Sequence, residues 1–166
     1  MAVTYGLGLA VWPAVGTAYL HAVAQALHGL WLVGLLPAGT LAMILPDTGV
    51  ALVAPGHTPL GLPRGALGSD VALTVSLITC SSPLPWPRRW PHVAVGLLLA
   101  FVGHVLMTLG LFWAPGWPNV SSTGVVLWNF VSTLYHAKML PLVVAAVVVG
   151  PTLVRRRWAN VIPSTA

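Results

Sequence analysis

Charge is the scarcest feature of this sequence. Asp, Glu, Lys and Arg together make up 5% of the 166 residues, and Asp47 and Asp70 are its two acids. A soluble domain carries far more charge on its surface, so a water-covered globule is excluded. The net charge of +5, from seven Lys and Arg, reflects a shortage of acids more than an abundance of bases. Nucleic-acid binding needs a dense basic face in polar surroundings, and it too is excluded. A single cysteine, Cys80, rules out an intramolecular disulfide and a multi-thiolate metal site, and leaves the redox compartment open. No signal peptide is expected, because no Lys or Arg precedes the first apolar run and that run continues far past a signal-peptide core. The N-terminus is therefore expected to be retained, and no repeat of fixed period is present.

What the chain has in quantity is apolar sequence: 57% of residues are hydrophobic and the mean hydropathy is +0.90. At roughly 20 residues per crossing, the length allows about four or five spans in a single domain over 1–166. The expected fold is an all-α integral membrane protein, a bundle of transmembrane helices with one extramembrane loop. Residues 2–45 carry no formal charge and are broken by Pro13, Gly16 and Pro37. They read either as two helices, about 3–19 and 22–45, or as one span followed by a kinked interfacial segment. Further apolar runs cover about 66–82, 92–114 and 124–153.

Between the first two regions, 46–65 is rich in Gly and Pro, with Pro46, Pro55, Pro59 and Pro63 spaced to forbid a helix. It is the expected extramembrane loop, and Val50-Ala-Leu-Val53 reads as a strand of a short β-hairpin within it. Arg88-Arg89 and Arg155-Arg156-Arg157 hold five of the seven positive charges, and the positive-inside rule puts both clusters in the cytoplasm. The uncharged loop 115–123 and the loop 46–65 then face outward, with Arg64 as the exception. Trp86, Trp90, Trp113, Trp117 and Trp158 lie near span ends, as interfacial aromatics do. The expected location is a multi-pass position in a membrane of the bacterial inner or plasma type.

Several polar residues in these runs are candidates for chemistry. His28, His104 and His136 fall near the middle of spans, where imidazoles at matching depth can ligate haem iron, copper or zinc, or else hydrogen-bond a neighbouring helix. No His-x-x-x-His spacing accompanies them. His104 and Met107, at i and i+3, share a helix face. Cys80 is followed by Ser81, Ser82 and Arg88, and a nearby cation favours a thiolate; the alternative is a small packing residue. Lys138 lies within the last run, where an ammonium is costly enough to mark a functional position, unless the helix begins late and the side chain snorkels outward. Asp70, just after Gly68-Ser69, reads as a cap at the start of its helix.

Over about 46–158 the pattern resembles small members of the exosortase and archaeosortase family. Gly49-Val-Ala-Leu-Val-Ala-Pro-Gly56 is similar to that family's outer hairpin, and Pro83-Leu-Pro-Trp-Pro-Arg-Arg89 to its cytoplasmic turn. The run Gly96 to Trp113 is similar to its third span. The resemblance implies a membrane transpeptidase with a Cys/Arg/His site on the outer face: a span opening with Cys-x-Gly, a span carrying Asn-x-x-Arg, and a last span introduced by a histidine. In this sequence the cysteine position is Ala66, with the motif's glycine kept as Gly68, and the Asn-x-x-Arg pair falls on His104 and Met107. His136 is the counterpart of the histidine. The resemblance therefore implies a fold without its thiolate and arginine, and so without an acyl-enzyme or an evident oxyanion partner.

The expected function is a non-catalytic accessory or structural subunit that packs against larger integral membrane subunits through small residues on its helices. Membrane lipids are expected to bind; no metal or cofactor is favoured. Two alternatives stay open: an exosortase-like cysteine transpeptidase or protease using Cys80, Arg88 or Arg64, and His136; and a haem- or metal-binding membrane protein using His28, His104 and His136.

Overall fold

The computed structural model describes residues 1–33, 39–45, 49–53, 56, 59–110 and 122–161. The chain begins with one uninterrupted helix, α1 (Ala2–Leu32), which carries Pro13 inside it. A proline removes one backbone hydrogen bond, and apolar helices tolerate this where neighbouring helices pack against the gap. Trp12, Gly16, Leu20, Val23 and Leu27 recur every three or four residues and form its buried stripe. Val3, Leu7, Val11 and Val15, on other faces, are exposed. A helix apolar on its outward side as well is one adapted to lipid.

Three short strands follow: β1 (Leu41–Leu45), β2 (Gly49–Val53) and β3 (Leu60–Leu62). They form one antiparallel sheet in the order β1-β2-β3, with Leu41 opposite Val53 and Val50 opposite Leu62. The strand read at 50–53 lies within β2. The helix reading of 22–45 is corrected twice: 22–32 continues α1, and Leu41–Leu45 is a strand. The sheet gives this apolar pentapeptide backbone partners and a place against α1, which an isolated run cannot reveal. Gly49, at φ +85, enters β2 in the left-handed region, and a Cβ there would run into the Leu62 carbonyl oxygen. Val50, Leu52 and Leu62 join Leu20, Val23 and Leu27 of α1 in one core.

Helix α2 (Arg64–Ser81) packs against α1, α3 and α5 and is the centre of the bundle. Its approach to α1 is close because small residues meet: a Cβ on Gly8 would lie 2.9 Å from Ala72 Cβ, and one on Gly68 would lie 2.6 Å from Trp12 Nε1. A 3-10 turn (Trp86–Arg89) leads into α3 (Trp90–Gly110). Arg89 fastens this turn by donating from Nε to the Leu84 carbonyl, 2.6 Å away, and from Nη1 to the Thr79 carbonyl.

The last apolar run is not one helix. It divides into α4 (Ser122–His136) and α5 (Met139–Val161), separated by a turn in which Lys138 adopts φ 52. Among the described residues three helical stretches are long and apolar enough to cross a membrane: Ala2–Leu32, Trp86–Gly110 and Met139–Arg157. Helix α2, with Arg64, Asp70 and several Ser and Thr, is shielded by its neighbours instead. The loop 115–123, read as uncharged and outward, falls largely outside the described residues.

The two ends of the bundle differ. At one end Thr4 Oγ1 lies 3.7 Å from Cys80 Sγ, and Thr152 Oγ1 lies 3.5 Å from His92 Nε2. The start of α1, the end of α2, the start of α3 and the basic end of α5 therefore sit together. At the other end are the sheet, the start of α2, the end of α3, α4 and the start of α5.

Candidate functional site

Four chain segments bring polar side chains together near the sheet end of the bundle. Asp70 comes from the second turn of α2, six residues after its first residue Arg64, so it does not cap the helix; Pro63 holds that position without a side-chain hydrogen bond. His104 comes from the last third of α3, Tyr19 from the middle of α1, and Lys138 from the turn between α4 and α5. Neither Asp70 nor His104 reaches solvent: their side chains are 2% and 0% exposed, against 40% for Lys138.

The contacts order these groups into a chain. Lys138 Nζ donates to Asp70 Oδ1 at 2.9 Å and to Ser69 Oγ at 3.1 Å. Ser69 in turn donates to the Ala66 carbonyl at 2.8 Å. The other carboxylate oxygen, Oδ2, faces His104 Nε2 at 3.6 Å. That separation is too long for a hydrogen bond and leaves Nε2 buried with an electrostatic contact only. Tyr19 Oη and His104 Nδ1 are 2.7 Å apart. With a carboxylate facing Nε2, the proton belongs on Nε2, and the tyrosine hydroxyl donates to Nδ1. Trp12, Phe101 and His104 surround the Tyr19 ring edge-on, with centroids 5.6, 5.9 and 5.9 Å away.

An ionised carboxylate inside an apolar bundle is tolerable only with compensation. Lys138 supplies it from the rim, from a left-handed backbone position in the turn between α4 and α5. A non-glycine residue at φ 52 costs about 1–2 kcal/mol in its own conformation. The strain sits at the residue whose ammonium closes the network, which is where strained backbone tends to collect.

Beside Lys138 opens an apolar cleft of about 530 Å³, lined by β3, the start of α2, the end of α3 and α4. Its walls include Leu60, Ala66, Met107, Trp128, Val131 and Ser132. His104 and Met107 lie on neighbouring turns of α3, so the same helix feeds the polar network with one side chain and the cleft with the other.

The remaining candidates lie elsewhere. Cys80 is exposed at the opposite end of α2, ten residues or about 15 Å of helix from Asp70. Arg88 is exposed in the 3-10 turn at that same end. His136 ends α4, two residues before Lys138, and its side chain lies outside the described residues. Cys80 and Arg88 are thus separated from His136 by the length of α2. Arg64 donates from Nη2 to Thr17 Oγ1 at 3.1 Å. His28 is exposed on α1 and stacks on Trp31, 5.4 Å between centroids. It is nine residues beyond Tyr19, about 13 Å along the helix, and so shares no site with His104. Among the described residues no group of three His, Cys, Asp or Glu side chains is placed to hold a metal ion.

Sequence reading missed Tyr19 and Ser69 and gave Asp70 the wrong task. A signal existed for the ion pair: Lys138 is the chain's one lysine, Asp70 is one of two acids, and both fall in apolar runs. No comparable signal marks Tyr19. No family model, curated protein or solved structure matches this chain.

Proposed function

We propose that this protein is a non-catalytic, exosortase-like membrane subunit that uses its apolar cleft to hold a segment of a larger integral membrane partner. The observation that carries this reading is the position of Ala66 and Met107. The family resemblance puts a nucleophilic cysteine at the first and an arginine at the second, and both residues line the same cleft. A methyl group and a thioether offer that cleft neither a nucleophile nor an oxyanion partner, so an occupant would be bound and not cut. The cleft's chemistry suits that role, being mostly apolar with one aromatic, Trp128, and an ion-paired ammonium at its edge.

In this reading α2 crosses the membrane in the shelter of α1, α3 and α5, giving a bundle of four to five spans. The five arginines of the basic end lie in the cytoplasm of a bacterial inner or plasma membrane, and the sheet, cleft and Asp70 network face outward.

Purification from native membranes tests the proposal. The wild-type protein is expected to bring down a larger membrane protein, and Ala66→Trp, which fills the cleft, to lose it while keeping its thermal unfolding profile. A monodisperse wild-type monomer that cleaves or transfers peptides would overturn the reading.

A further inference from the structure

We propose that the groove between the start of α3 and the end of α5 is a binding site for one anionic diacyl phospholipid. The groove, about 290 Å³, is lined by Pro91, His92, Val95, Val147 and Val148 and is separate from the cleft at the other end. Its walls are two packed helices, which the contact between Thr152 and His92 joins at the basic end. Two of its lining residues, Val95 and Val147, are 49% and 59% exposed, so the groove opens on the apolar flank of the bundle. The exposed Trp86 and Trp90, packed edge to face at 5.8 Å, lie at the same end of the bundle, on the side of α3 beside Thr79 and Val93, as aromatics at headgroup level do.

The charge at that entrance selects the headgroup. Val148, Thr152 and Arg155 follow one another at i, i+4 and i+7, so the face of α5 that lines the groove runs directly into Arg155. Arg88 lies just before α3 and, like Arg155, is exposed. Arg89 is already committed to the Leu84 and Thr79 carbonyls. Among the described residues no carboxylate side chain is at hand to neutralise this end. Asp70 is paired with Lys138 at the far end, and Asp47 lies in the chain between β1 and β2. A guanidinium on the helix face that lines an apolar groove, at the basic end of the bundle, matches a phosphodiester with acyl chains along the groove.

The test uses the full-length protein in detergent, with phosphatidylglycerol and phosphatidylcholine of identical acyl chains, read by native mass spectrometry and thermal unfolding. Phosphatidylglycerol is expected to bind preferentially and to raise the unfolding temperature. Arg155→Gln should weaken it on the order of fivefold, as for loss of one arginine near an anionic surface. Val147→Trp should weaken both lipids by filling the groove, and Arg64→Gln, at the other end, should change neither. Equal binding of the two lipids by the wild type, or a preference untouched by Arg155→Gln, would overturn the proposal. So would displacement by free glycerol phosphate at the lipid's own concentration, which would indicate a headgroup site without the groove. Should Arg155→Gln fail to fold, the wild-type preference still decides, since it must also collapse at high salt.

Discussion

Lys138 Nζ lies 2.9 Å from Asp70 Oδ1 although 68 residues separate them in the chain. The two partners are unequally placed, because the carboxylate is buried and the ammonium is 40% exposed. Removing one should therefore not equal removing the other. Lys138→Met strands a buried charge and is expected to cost about 3 kcal/mol, the lower range for breaking a buried pair from one side. Asp70→Asn leaves the ammonium within reach of water and of Ser69 Oγ and should cost about 1 kcal/mol. The double variant should be more stable than Lys138→Met alone. Unfolding of all four proteins in detergent closes the cycle, and strict additivity would mean that the pair is not coupled.

The backbone of Lys138 gives a second, separable expectation. Lys138→Ala and Lys138→Gly both remove the ammonium, but only glycine adopts φ 52 without steric cost. The glycine variant should be the more stable of the two by about 1 kcal/mol. Equal stability would show that the turn relaxes once the ion pair is gone.

Tyr19→Phe takes away the hydroxyl 2.7 Å from His104 Nδ1 and leaves a buried ring nitrogen with no donor. The expected loss is about 1–2 kcal/mol. The imidazole resonances of His104, followed by NMR in micelles, should move with it, whereas an unchanged spectrum would place the hydroxyl outside the network.

Packing between α1 and α2 can be probed at two glycines of the same helix. A methyl group on Gly68 would sit 2.6 Å from Trp12 Nε1, while one on Gly65 meets nothing within 4 Å. Gly68→Ala should destabilise by about 1–3 kcal/mol through overpacking. Gly65→Ala should be neutral or stabilise by up to about 1 kcal/mol through helix propensity. Thermal melts of the two single variants that coincide would rule out the tight helix contact.

These contacts also explain what could be read in the chain beforehand. The apolar run at 66–82 coincides with α2, and the strand at 50–53 lies in β2, because Pro, Gly and a β-branched pattern act locally. Leu41-Ala-Met-Ile-Leu45 has no such marker; a short apolar run fits helix and strand alike, and its partner β2 decided the matter. The break at Lys138 has a local marker in Pro141, in the first turn of α5, which has no N–H to give the Ala137 carbonyl and disfavours helix just before it. The same turn carries the Lys138 ammonium to Asp70 on another helix. The network was half legible: two charges in apolar surroundings ask for partners, but the choice of Tyr19 and Ser69 depends on how helices far apart in sequence are turned.

Helix α1 has 31 residues, a rod of about 46 Å against a hydrocarbon layer of about 30 Å. Its first half belongs to the bundle and its second half carries the sheet, with Leu20, Val23 and Leu27 pressed against Val50 and Leu52. The two are therefore parts of one helix, with Pro13 in its first half as the place where it can bend. Beyond Pro13 the helix runs unbroken into its packing with the sheet, so a thinner bilayer that tilts this stretch would carry along the β3 wall of a cleft that α1 itself does not line.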